Sequence, residues 1–214
     1  MALSFSATTK LLFIGDSITD CGQREDPDRI GNGYVRIIRD YLLASDPATA
    51  PAVFNAGISG NKVTDLLDRW QRDVLNLAPD ILSIQIGIND VWHGLGGRNE
   101  GTDIERFAGV FQNLIIQIET LLPKCRIVLC EPTVIWPPQP IEGNEKLQPY
   151  IDAVRTLAAD HGDSSVECLV PLHAAFENAK LARPDIAWAP DGVHPSSSGH
   201  MLIAQTWLGA TGLL

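Results

Sequence analysis

Apolar residues follow two rhythms along the chain. Short unbroken runs such as Leu11-Leu12-Phe13-Ile14 have the length and composition of buried strands. They predict strands over about 10–14, 52–55, 81–86, 126–130 and 165–170. Between the runs, apolar residues recur three and four apart, as one face of a helix requires. Helices are predicted over 34–44, 63–77, 103–122, 145–161, 172–180 and 199–208. In the second of these, Leu66, Leu67, Trp70 and Val74 share a face, and Pro79-Asp80 follows as a breaker. Pro149 leaves the first turn of the 145–161 helix undefined. Segments 21–33, 91–101, 131–144 and 183–198 read as loops, the third stiffened by Pro132, Pro137, Pro138 and Pro140.

Regular alternation of strand and helix predicts an α/β fold, with a parallel sheet covered on both faces. The 214 residues suffice for a single such domain spanning 1–214, and no repeat or linker divides them. A formal net charge of −10 disfavours nucleic acid and anionic membrane surfaces as partners. No run of about 18 apolar residues occurs, so no membrane span is expected. Residues 1–9 lack the charged and apolar regions of a signal peptide. Of the four cysteines, Cys130 and Cys168 sit in apolar runs, and none of Cys21, Cys125, Cys130 or Cys168 is spaced for zinc. A reduced, cytoplasmic protein is the expectation.

In a parallel sheet, ligands gather beyond the carboxyl ends of the strands. Three glycine-containing polar segments fall there: Gly15-Asp16-Ser17, Gly57-Ile58-Ser59-Gly60-Asn61 and Gly87-Ile88-Asn89-Asp90. The loop Asp191-Gly192-Val193-His194-Pro195 can reach the same edge. Taken singly, each has an ordinary reading. Ser17 can cap a helix, the glycines and Asn89-Asp90 can make turns, and His194 can be a surface histidine. Taken together, they match the needs of acyl transfer. Ser17 is a nucleophile in want of a base, and His194 can take and return its proton. Asp191, three residues earlier, can hold the imidazole tautomer. The N–H of Ser17, the N–H of Gly60 and the amide of Asn89 can donate to an oxyanion, each worth about 3–4 kcal/mol in the transition state. His161, His173 and His200 have no acid three residues earlier. Asp191, His194 and His200 lack a convincingly placed third ligand, so neither a metal nor a cofactor is expected.

In this order, Gly15-Asp16-Ser17-Ile18-Thr19, Gly60, Gly87-Ile88-Asn89-Asp90 and Asp191-Gly192-Val193-His194-Pro195 resemble the four blocks of the SGNH hydrolases, or GDSL esterase/lipase superfamily. The resemblance covers nearly the whole chain. It implies Ser17 as nucleophile, His194 as base and Asp191 as its orienting acid, with Ser17, Gly60 and Asn89 as oxyanion hole. It also implies a three-layer α/β/α sandwich, flavodoxin-like, on a five-stranded parallel sheet. Thr19 breaks any Gly-x-Ser-x-Gly elbow, which sets the chain apart from the α/β-hydrolases.

The longer stretches Leu12 to Gly22, Gly57 to Asn61, Ile86 to Trp92 and Ile141-Glu142-Gly143-Asn144-Glu145 are similar to bacterial intracellular acetylxylan esterases of this superfamily. That likeness implies removal of acetyl groups from xylo-oligosaccharides or related esters, and frequent homo-oligomers. Pro190 stands where such enzymes carry a tryptophan, and Trp188 lies two positions earlier. Trp92, Trp136 and Trp188 are the candidate substrate-facing aromatics. Asp16, beside the nucleophile, is a candidate substrate contact, with a turn hydrogen bond as its alternative. The competing functions are a lysophospholipase or thioesterase acting on longer acyl chains, and a carbohydrate-binding protein without catalysis.

Overall fold

Five parallel strands form the centre of the computed structural model, which describes residues 2–97 and 100–214. They are β1 (Lys10–Gly15), β2 (Ala52–Gly57), β3 (Ile81–Gln85), β4 (Arg126–Cys130) and β5 (Val166–Val170). Their lateral order is β2-β1-β3-β4-β5. The chain steps outward from β1 to β2 and then returns past β1 to β3. The β1/β3 boundary is therefore the point where a crevice opens at the carboxyl edge.

Alternate residues of β1 enter opposite layers, as the pleat demands. Leu11 and Phe13 join a core with Tyr34, Ile38 and Trp207 from α2 (Tyr34–Ser45) and α8 (Ser197–Ala210). Leu12 and Ile14 join one with Leu66, Trp70, Phe111 and Val154 from α3 (Val63–Trp70), α5 (Ile104–Leu121) and α6 (Gly143–Asp160). Each such buried side chain contributes about 1.5–3 kcal/mol, so both faces anchor β1 firmly. This is the expected three-layer sandwich. The remaining helices are α1 (Ser17–Asp20), α4 (Ile88–Trp92) and α7 (Leu172–Ala182).

Several boundaries differ from expectation. The predicted 63–77 helix is α3 followed by one wider π turn, Gln71–Leu75. Val74 stays buried there, while Leu67, expected on the buried face, is exposed. Part of the predicted 91–101 loop is helical: α4 begins at Ile88, and a short 3-10 turn covers Leu95–Gly97. Ile88, Val91 and Leu95 are buried at helical spacing, but three positions are too few for the pattern to declare itself. Arg98 and Asn99 of that loop lie outside the described residues. Helix α6 starts at Gly143, ahead of Pro149, whose exposed ring it carries internally.

Candidate active site

The register of the sheet decides what can meet. Gly15 pairs with Gly57 on one side and with Gln85 on the other. The segments leaving β1, β2 and β3 therefore start side by side. Contact at this edge is tight: a Cβ on Gly15 would lie 2.2 Å from the carbonyl oxygen of Gln85.

Helix α1 is a single turn, and its cap is Asp16, not Ser17. The Asp16 Oδ1 accepts the N–H of Ile18 at 2.9 Å. The capping alternative for Ser17 is thereby removed, and its hydroxyl is left for other work. One turn also carries little aligned dipole, so α1 lends Ser17 little electrostatic support. The Ser17 Oγ lies 2.9 Å from His194 Nε2. The other ring nitrogen, Nδ1, lies 2.6 Å from Asp191 Oδ2. Asp191 Oδ1 accepts the backbone N–H groups of Val193 (3.0 Å) and His194 (2.7 Å). Partial burial works against ionisation of Asp191. The His194 ring and these two N–H groups outweigh it and hold the carboxyl below its ordinary range. An imidazole held between a hydroxyl and an ionised carboxylate can draw off the hydroxyl proton.

Asn89 sits in the first turn of α4 and is 2 % exposed. Its Nδ2 donates to the Asn61 carbonyl at 3.0 Å; a primary amide has a second N–H to give. Gly60 lies at an exposed loop tip, with no atom within 4 Å of where a side chain would project. Asp20 secures this loop from below: its Oδ2 accepts from Ser59 N–H at 3.1 Å and Ser59 Oγ at 2.8 Å. The Asp90 carboxylate accepts the N–H of Val63 at the start of α3.

Residues 13–202 match the GDSL-like lipase/acylhydrolase family. The chain belongs to that family. It is a carboxylic ester hydrolase. It is 34% identical over 209 residues to an acetylxylan esterase of Geobacillus stearothermophilus, covering 93% of this chain and 92% of the relative. The crystal structure of that esterase aligns at TM-score 0.85, covering 98% of this chain and 97% of that one, at 34% identity. A protein described as a GDSL-like lipase from Parabacteroides merdae aligns at TM-score 0.86 with 34% identity over the full length of both. Structures of the Geobacillus esterase include catalytic mutants in which a serine, an aspartate or a histidine is replaced by alanine.

The other site candidates separate. Asp16 is fully buried, so it is not a substrate contact; it is the α1 cap, the alternative reading. Trp136 is only 7 % exposed; its indole N–H donates to Glu177 at 2.9 Å and its ring lies against Phe176, so it is core. Trp188 lines a recess made by Ser197, Ser198, Met201, Leu202 and Gln205 of α8, with its N–H on the Arg183 carbonyl. Trp92 alone stands at the site, edge-on to His194 with ring centroids 5.8 Å apart. His200, pushed down to about 4 by burial and then by His194, accepts the Tyr34 N–H. His161 does find an acid, Glu119 at 2.8 Å, but from a position just ahead of β5, at the opposite sheet edge.

Two supports escape sequence reasoning. Gln139 accepts the Trp92 indole N–H at 2.8 Å and donates to the Asp191 carbonyl at 2.9 Å. It ties Trp92 to the loop that carries Asp191 and His194. Its only sequence signal is a polar residue inside a proline-rich loop. Gly192 has φ +86°, and a Cβ there would lie 2.0 Å from the Trp136 carbonyl oxygen. Gly192→Ala is expected to cost about 1–3 kcal/mol of stability, read as a lower melting temperature. Activity of the folded fraction should fall as well, because Asp191 and His194 flank the displaced backbone.

Burial pushes Asp16 up to about 7, against the Ile18 N–H and with help from Asp90. Burial likewise pushes Asp90 up to about 6. Both acids bind a proton more tightly folded than unfolded. Between about pH 4 and 6 these two protons outweigh the one that His200, with its lowered pKa, gives up on folding, so the native state holds more protons and stability falls as pH rises through that window. Chemical denaturation from pH 4.5 to 8 should show a decline of a few kcal/mol, at about 1.4 kcal/mol per pKa unit. Asp16→Asn should flatten the upper part of the curve; an unchanged slope would contradict the assignment.

Proposed function

We propose that the chain is a single-domain serine acetylesterase acting on acetylated xylo-oligosaccharides or related acetylated sugars. The carrying observation is the unbroken relay Ser17–His194–Asp191, at 2.9 and 2.6 Å, on the carboxyl edge of the sheet. Ser17 attacks the ester carbonyl as His194 takes its proton, and Asp191 holds the imidazole and stabilises the imidazolium. The N–H groups of Ser17 and Gly60 and the amide of Asn89 receive the oxyanion. The bond to the sugar oxygen then breaks, His194 giving its proton to that oxygen so that it leaves as a hydroxyl, and an acetyl ester remains on Ser17. Water, deprotonated by His194, hydrolyses that ester and restores the enzyme.

The acetyl preference is supported by the esterase relatives. The four free thiols suit a cytoplasmic setting. A panel of acetylated xylo-oligosaccharides and p-nitrophenyl esters from acetate to octanoate tests the reading. Released acetate from the sugars, with kcat/KM falling steeply beyond butyrate, is the expected outcome. Equal or better turnover of octanoate would instead mark a long-chain acylhydrolase.

A further inference from the structure

Among the described residues the triad leaves one buried cation without a role. Arg69 lies on α3, is 7 % exposed, and spends its guanidinium on four acceptors. Nη2 donates to the Gly15 carbonyl at 3.0 Å, two residues before Ser17. Nη1 donates to the Ala56 carbonyl at 2.7 Å and to Asp73 Oδ2 at 2.8 Å. Nε donates to the Asn61 side-chain oxygen at 2.8 Å. Asn61 in turn accepts, through its carbonyl, the Asn89 Nδ2 hydrogen bond.

We propose that Arg69 is a positioning residue that sets the oxyanion hole against the nucleophile, acting on Asn89 through Asn61. This rests on the reading of Asn89 as an oxyanion donor. A planar guanidinium with a fixed fork can hold several acceptors at once, which a flexible ammonium does not. Here the fork joins the end of β1, the end of β2 and the loop that carries Gly60. Asp73 balances the charge, as a buried cation requires. The consequence for chemistry lies in Asn61. With its side chain fixed by Arg69, its carbonyl takes one Asn89 N–H and so aims the other. An oxyanion donor is useful only when it is held in place before charge develops.

The test is a double-mutant cycle on folded enzyme, its active sites counted by titration with a fluorophosphonate. Arg69→Lys should lower kcat for p-nitrophenyl acetate by about 10- to 100-fold with little change in KM, the effect of a misplaced catalytic group. Asn89→Ala should lower kcat by about 10²- to 10³-fold. In the Asn89→Ala background, Arg69→Lys should then cost less than about twofold more, because its target is gone. Asn61→Ala keeps the Arg69–Asp73 pair and carries the same test should the lysine variant not fold. Equal losses in both backgrounds, or full kcat in Arg69→Lys and Asn61→Ala, would overturn the inference while leaving the oxyanion hole intact. A normal kcat in Asn89→Ala would sink the oxyanion reading itself, and the inference with it.

Discussion

Ser17→Ala is expected to abolish measurable turnover of p-nitrophenyl acetate, a loss on the order of 10⁴- to 10⁶-fold in kcat. The reason is local. The Ser17 hydroxyl is bonded to His194 Nε2, and α1 is capped by Asp16. Removing one oxygen therefore takes away the nucleophile without uncapping the turn. The melting temperature should stay within a few degrees of the parent. A small residual rate is expected, since the oxyanion donors and the binding surface survive. Steady-state assay beside thermal unfolding checks both halves. Retained turnover would remove Ser17 from the chemistry, and a large drop in stability would return it to a structural role.

Asp191→Asn is expected to cost about 10⁴-fold in kcat while leaving the loop folded. The Asp191 Oδ1 accepts the N–H groups of Val193 and His194, and an amide oxygen can do the same. The damage falls on the other oxygen. Asp191 Oδ2 accepts from His194 Nδ1 at 2.6 Å, which keeps the proton on Nδ1 and the lone pair on Nε2, facing Ser17. An amide nitrogen there donates, reverses the tautomer and turns Nε2 into a donor unable to take the serine proton. KM should change little, since Asp191 does not contact the ester. A loss under tenfold would mean that Asp191 does not orient His194.

The five strands and their parallel arrangement are legible in the sequence, because buried strands of a parallel sheet are apolar on both faces. Leu11 to Ile14 point alternately into two cores and leave no polar gap in the run. Short elements are harder to read. One turn at Ser17–Asp20 and five residues at Ile88–Trp92 are set by tertiary packing, not by periodicity. Ser17, Gly60 and Asn89 are legible because each follows a strand that ends level with its neighbour, and Asp191 and His194 because they share one short loop. The aromatic candidates divide for a reason invisible in one dimension. Trp136 follows a buried run into the core, whereas Trp92 ends α4 beside His194. Arg69 has a faint signal: it stands three residues after Leu66 and one before Trp70, on a face otherwise apolar. A charge in that position reads as solvated until its four acceptors are known.

The central claim, that Ser17 is the activated nucleophile of this hydrolase, is tested most directly by covalent labelling. Intact-mass and peptide-mass measurements after incubation with a fluorophosphonate should show one adduct per chain, on Ser17. The adduct should be absent in Ser17→Ala and slow to form in His194→Ala. No adduct on fully folded enzyme, or stoichiometric modification of another residue with Ser17 untouched, would contradict the account.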